Sequence, residues 1–155
     1  MNEYESIRRR EVLAPQKTYE LQDDLAVPAA PKTRTILILE DDLSLAHLLK
    51  DGLEGHGYIV TLVTNGAEGL KKLMTADFGV IICDMVMPNF PGDMFYIAVE
   101  RTRPHLCKRF IFMTGHQGDR KIEQFIRRIR GLMLWKPFEM HVLLEAIESV
   151  NSKQS

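Results

Sequence analysis

Residues 35–42 read TILILEDD, an unbroken run of β-branched and apolar side chains that ends in three carboxylates. A strand with one wet face alternates, so an unbroken run of this length is what a strand buried on both faces requires. The carboxylates then stand where the strand leaves the core. Moving outward, the same punctuation recurs. Val80 to Cys83 (VIIC) runs into Asp84, Phe110 to Met113 (FIFM) into Thr114, and Leu132 to Trp135 (LMLW) into Lys136 and Pro137.

Helical spacing fills the intervals. Leu45, Leu48, Leu49 and Leu53 share one side of a helix that Ser44 can cap and that Gly55 and Gly57 end, while Asp42 enters the loop that starts it. Tyr58 to Val63 reads as a further strand, and Ala67, Leu70, Leu73 and Met74 mark a second helix. The segment DMVMPNFPGD after VIIC holds two prolines and a glycine and must be a loop. Phe95, Ala98 and Val99 support a third helix. Ile122, Phe125, Ile126 and Ile129 support a fourth, which Gly131 ends, and Met140, Leu143, Leu144 and Ile147 line a fifth. Five strands alternating strictly with five helices predict an α/β fold, a doubly wound parallel sheet with right-handed crossovers. In an open parallel sheet the C-terminal strand edges share one crevice. Glu40, Asp41, Asp84, Thr114 and Lys136 are therefore expected to meet.

Composition narrows the class. Twenty basic against 21 acidic residues leave a net charge of -1, which gives no global attraction to nucleic acid or to an anionic membrane. The longest apolar runs are far below the roughly 20 residues that span a bilayer, and the N-terminus is charged where a signal peptide would be apolar. A cytoplasmic protein with no membrane and no nucleic-acid partner is expected. Cys83 and Cys107 have no CxxC partner and read as packing residues in a reducing compartment. Residues 1–33 lack periodicity, carry Arg8, Arg9 and Arg10, and end in VPAAPK. They are expected to form a flexible arm or linker with a short helix near Tyr4 to Val12, followed by a folded domain over 34–150 and a disordered tail over 151–155.

The chemistry follows from residue types. An aspartate at a strand end can act as a nucleophile and form an aspartyl phosphate. Attack by a carboxylate on an anionic phosphoryl group needs its repulsion relieved, and a divalent cation such as Mg²⁺, held by oxygen ligands from Glu40, Asp41 and Asp84, is the usual means. The Thr114 hydroxyl and the Lys136 ammonium can bond phosphoryl oxygens and stabilise the charge of the transition state. His47, His56, His105, His116 and His141 show no metal-ligand spacing.

Taken as a set, ILILEDD, ICDMVMP, FMTG and WKPF resemble the signatures of the receiver domain of two-component response regulators, over about Thr33 to Val150. The resemblance implies a flavodoxin-like receiver fold with strand order 2-1-3-4-5. It implies Asp84 as phosphoacceptor, Glu40 and Asp41 as the acidic metal pair, the backbone carbonyl of Val86 as a further Mg²⁺ ligand, Thr114 as switch hydroxyl and Lys136 as the family's lysine. It further implies a sensor histidine kinase or histidine phosphotransfer protein as donor, and a downstream protein partner on the face of helix 4, strand 5 and helix 5. A homodimer is left open, and no enzymatic turnover beyond self-phosphorylation and slow autodephosphorylation is expected. The chain reads as a stand-alone regulator or the receiver of a hybrid kinase, with Met1 favouring the former.

Two departures from the family pattern stand out. Met133 occupies the strand position, three before the lysine, where an aromatic residue is common, and Trp135, on the opposite side of the strand from Lys136, is not expected to replace it. Val86 and His116 flank the path of a water attacking the phosphoryl group, and valine cannot orient that water. Two other functions fit the architecture: a phosphohydrolase using Asp84 on small phosphate esters, and a flavin or nucleotide binder. The first would want a second acid at Val86, and the second a GxGxxG or P-loop pattern that the first strand lacks.

Overall fold

The computed structural model describes residues 34–154. Expectations for residues 1–33, the arm and its short helix, lie outside the described residues. The chain runs β1 (Thr35–Leu39), α1 (Leu43–Glu54), β2 (Ile59–Val63), α2 (Gly66–Thr75), β3 (Val80–Asp84), α3 (Gly92–Thr102), a 3-10 turn (Pro104–Arg109), β4 (Phe110–Thr114), α4 (Arg120–Ile129), β5 (Leu132–Trp135) and α5 (Met140–Ser152). All strand pairs are parallel and the order is β2-β1-β3-β4-β5.

Two apolar layers sandwich the sheet, and the alternation of side chains along each strand decides which layer a residue joins. Leu37, Leu39, Ile81, Cys83, Phe110 and Phe112 pack with Leu73 of α2, Phe95 and Val99 of α3, and Phe125 of α4. Ile36, Ile38, Val80, Ile82, Ile111 and Met113 face the other way, against Leu49 and Leu53 of α1 and Leu143 and Ile147 of α5. β3 and β4 are buried along their whole length, which is why their sequences do not alternate. Cys83 is buried in the first layer, as expected of a packing residue, and burial pushes its thiol pKa well up.

The ends of several elements differ from expectation for local reasons. Asp42, not Ser44, caps α1: its Oδ1 accepts the N–H groups of Ser44 and Leu45 at 3.0 and 3.2 Å. A carboxylate reaches those amides and adds charge favourable to the helix dipole, which a serine already inside the first turn cannot do. At the end of α4 the left-handed residue is Arg130 (φ 53°), one position before the expected Gly131, whose N–H returns to Ile126 O at 2.9 Å. α5 does not stop at Val150 but runs to Ser152, and the Gln154 side chain donates to Gly79 O at 2.8 Å. Residues 151 and 152 of the expected tail thus lie within α5.

Candidate functional site

Four strand ends build one site. Glu40 follows β1 and stays on the sheet edge through its N–H bond to Val63 O at 3.1 Å. Asp84 closes β3, between β1 and β4. Thr114 closes β4, and the backbone N–H of Lys136 just past β5 donates to Thr114 O at 2.8 Å. Backbone pairing thus sets the spacing of all four side chains before any of them interacts.

Three of these groups are buried: Glu40 is 1% exposed, Asp84 5% and Thr114 0%. Each finds partners. Glu40 Oε1 accepts the Asp42 N–H at 3.0 Å, and Asp84 Oδ1 accepts the Val86 N–H at 2.9 Å. Lys136 Nζ bridges the other two oxygens, donating to Glu40 Oε2 at 2.7 Å and Asp84 Oδ2 at 2.9 Å. Thr114 Oγ accepts the His116 N–H at 3.1 Å, which ties the hydroxyl to its own loop. The Lys136–Pro137 peptide that carries the lysine is cis.

Electrostatics follow from this arrangement. Burial raises the Glu40 pKa, and the charge of Asp84 adds to the rise, against the opposing hydrogen bond from Lys136. Burial works against the charge on Lys136, but its hydrogen bonds to Glu40 and Asp84 outweigh that and raise its pKa. A single ammonium therefore faces two buried carboxylates. Asp41, exposed, brings a third: ligand oxygens of Glu40, Asp41 and Asp84 all lie within 4.8 Å of one another. This is the one group among the described residues whose His, Cys, Asp and Glu side chains could together hold a metal ion. Such an all-oxygen, net negative cluster suits a hard divalent cation.

Glu40, Asp41, Asp84 and Lys136 come together, and Thr114 stands at the adjoining strand end with its carbonyl accepting the Lys136 N–H, with one shift of emphasis. Lys136, assigned by its chemistry to the phosphoryl oxygens alongside Thr114, lies among the carboxylates. Val86 stands exposed beside the site, and its N–H rather than its side chain contacts Asp84.

Gly92 is a residue of the site that sequence reasoning passed over, because the Pro91-Gly92 pair reads simply as a turn. The N-terminus of α3 rests directly on the end of β3, with the Gly92 N–H donating to Met85 O at 3.1 Å. A Cβ at Gly92 would lie 2.6 Å from Asp84 O and 2.9 Å from Met85 Cα, both backbone atoms without freedom to turn aside. Gly92→Ala is expected to lower stability by about 1–3 kcal/mol, the usual cost of overpacking. Urea denaturation checks this, and an unchanged midpoint would mean that α3 can retreat without loss.

Comparison with known proteins bears on this geometry. The family model for the response regulator receiver domain matches residues 36–148. The probable chemotaxis protein CheY of Rhizobium etli is 32% identical over 117 residues, covering 74% of this chain and 90% of its own length. The sensor kinase CckA of Brucella abortus is 26% identical over 145 residues, 92% of this chain, and the chain spans only 15% of that kinase. Among solved structures, a CheY-like response regulator receiver domain protein from Methanospirillum hungatei superposes with a TM-score of 0.71 at 26% identity, covering 78% of this chain and 95% of the other.

Proposed function

This chain belongs to the response regulator receiver domain family, and from that we propose that it is a phosphoacceptor signalling module in which Asp84 takes the phosphoryl group. The observation that carries the reading is the Asp84 carboxylate at the end of the central strand, bonded at once to a backbone N–H and to Lys136, with Glu40 and Asp41 beside it. The donor we propose is the phosphohistidine of a sensor kinase or phosphotransfer protein. An Asp84 oxygen forms a P–O bond as the donor's P–N bond breaks, and the imidazole leaves with the electron pair and takes up a proton.

Each residue has a defined task. The Val86 N–H and Lys136 orient the two Asp84 oxygens, and Lys136 offers its charge to the phosphoryl oxygens as the carboxylate charge is consumed. Glu40, Asp41, Asp84 and the Val86 carbonyl would hold Mg²⁺. When bound, the ion screens the repulsion between carboxylate and phosphoryl oxygens. The Thr114 hydroxyl, whose oxygen accepts the His116 N–H, donates a hydrogen bond to a phosphoryl oxygen. The surface of α4, β5 and α5 changes its partners as a two-state population shift. Exposed Arg120, Lys121, Arg127, Arg128 and Arg130 on and after α4 suit an acidic protein there.

Incubation with Mg²⁺ and a small acyl phosphate is expected to add the mass of one phosphoryl group, and peptide mapping should place it on the segment holding Asp84. No gain, or a gain elsewhere, overturns the proposal. Val86, exposed and apolar beside the acceptor, supports an acceptor over an enzyme that turns over phosphate esters, because it cannot activate water. Val86→Asn is expected to speed loss of the phosphoryl group about tenfold, since one hydrogen bond that orients the attacking water lowers the barrier by roughly 1.4 kcal/mol. Timed mass spectra of wild type and variant decide it, and equal rates would assign water no role at this position. Among the described residues no helix is long and apolar enough to cross a membrane, in keeping with the cytoplasmic setting we propose.

A further inference from the structure

The loop that follows β3 is closed by backbone at both ends. The Met85 N–H donates to Met113 O of β4 at 2.9 Å, and the Gly92 N–H at the start of α3 returns to Met85 O at 3.1 Å. Residues 86–91 between these ends carry both backbone groups assigned to Asp84 chemistry: the Val86 N–H, 2.9 Å from Asp84 Oδ1, and the Val86 carbonyl. Val86, Pro88 and Asn89 are exposed, while Met87 and Phe90 anchor the loop in the apolar layer under α2 and α3.

The two anchors differ in kind. Met87 is unbranched and adapts to its surroundings. Phe90 is a rigid ring set against main chain: a Cβ on buried Gly66, the first residue of α2, would overlap Phe90 Cδ1 and lie 2.6 Å from Phe90 Cγ. Three residues on, a Cβ on Gly69 would lie 3.0 Å from Phe95 Cε2, and the Phe90 and Phe95 rings meet edge to face with centroids 6.2 Å apart. A three-residue turn precedes the ring, with the Phe90 N–H donating to Pro88 O at 2.8 Å around Asn89. Asn89 has a φ of 64°, a left-handed conformation that asparagine tolerates better than most residues. Packed between backbone and a second ring, Phe90 has little freedom, so the loop inherits the position of α2.

We propose that Phe90, seated on Gly66, is the positioning residue that fixes the acceptor loop. It keeps the Val86 N–H on Asp84 and the Val86 carbonyl where it can serve a divalent cation together with Glu40 and Asp41. With a small side chain at position 90 the loop retains its closed ends and Met87, so the fold persists while the Val86 peptide gains freedom. The inference rests on the phosphoacceptor reading, and its test separates the two.

Hydrogen exchange at the Val86 amide, followed by NMR without metal, reports the loop itself, and the Ile82 amide inside β3 reports global opening. Calorimetry with Mg²⁺ and mass spectra with a small acyl phosphate report the consequences. In Phe90→Ala we expect Val86 to exchange about tenfold faster relative to Ile82 and Mg²⁺ to bind about tenfold more weakly, the lower end of what losing support for a metal ligand costs. Phosphoryl addition should slow at limiting Mg²⁺ and recover at saturating Mg²⁺. Gly66→Ala, which displaces the ring, should act alike, and the double variant should be no worse than the singles because one shared contact is lost. Should Phe90→Ala fail to fold, Phe90→Leu carries the same readouts with a smaller response. Val86 exchange unchanged relative to Ile82, or Mg²⁺ binding equal to wild type, overturns the role of Phe90. A wild type that binds Mg²⁺ but gains no phosphoryl mass overturns the phosphoacceptor reading instead.

Discussion

Asp84→Asn is expected to gain no phosphoryl group from an acyl phosphate and Mg²⁺, while remaining folded. The amide is nearly isosteric with the carboxylate but is no nucleophile, so the P–O bond cannot form. Stability should stay within about 1 kcal/mol of the wild type, because two effects oppose each other. Removing the carboxylate relieves the repulsion that helps raise the Glu40 pKa. It also removes the charge partner of Lys136, and the amide oxygen can accept from only one of the two groups, the Val86 N–H or Lys136 Nζ, that bond separate oxygens of Asp84. Mass spectrometry and urea denaturation on one sample check both parts. A variant that still gains the phosphoryl mass would place the acceptor elsewhere.

Lys136→Met is expected to damage both function and stability. Glu40, 1% exposed, and Asp84, 5% exposed, would face each other with no cation between them. Removing one partner of a buried ion pair typically costs about 3–5 kcal/mol, and because Lys136 itself reaches solvent we expect about 2–3 kcal/mol at neutral pH. Phosphoryl addition from the acyl phosphate should slow by at least about tenfold with the loss of one charge-assisted contact to the phosphoryl oxygens. Denaturation midpoints and timed mass spectra measure the two effects, and a variant as stable as the wild type would show that the carboxylates do not need the ammonium.

The pH dependence has a definite sign. Glu40 has a raised pKa in the folded state, so the fold binds its proton more tightly than the unfolded chain does. Its penalty on stability is present in full above the raised value and is relieved as the pH falls toward the ordinary glutamate value. Lys136 is also raised, so its contribution is complete below the ordinary lysine value and is lost as the pH rises through the raised one. In Lys136→Met the lysine contribution is gone and the carboxylate penalty grows. The stability gap between variant and wild type should therefore narrow in acid, and Mg²⁺ at neutral pH should narrow it as well, because either a proton or a cation discharges the pair. A gap independent of pH would point to lost packing rather than lost charge.

Much of the site was legible because it lies on strands. An apolar run followed by a polar residue marks a strand end whatever the rest of the chain does, and parallel pairing brings such ends together. That is how Glu40, Asp84, Thr114 and Lys136, far apart in the chain, could be assigned to one crevice. Element ends were less legible, since capping depends on which side chain reaches the free amides: Asp42 rather than Ser44 at α1, Arg130 rather than Gly131 after α4. The role of Gly92 was hidden because a turn glycine and a close-approach glycine look alike in sequence.

By itself the sequence determined the order of elements, the parallel sheet buried on both faces, and the identity of the acidic, hydroxyl and lysine groups at its C-terminal edge, because hydrophobic periodicity and strand length are local properties. Only the tertiary structure decided that Lys136 bridges Glu40 and Asp84, that α3 begins in backbone contact with the end of β3, and that Trp135 pairs in register with Thr114. Those relations depend on register and burial between segments, which set distances and desolvation, and neither can be read from residues taken one segment at a time.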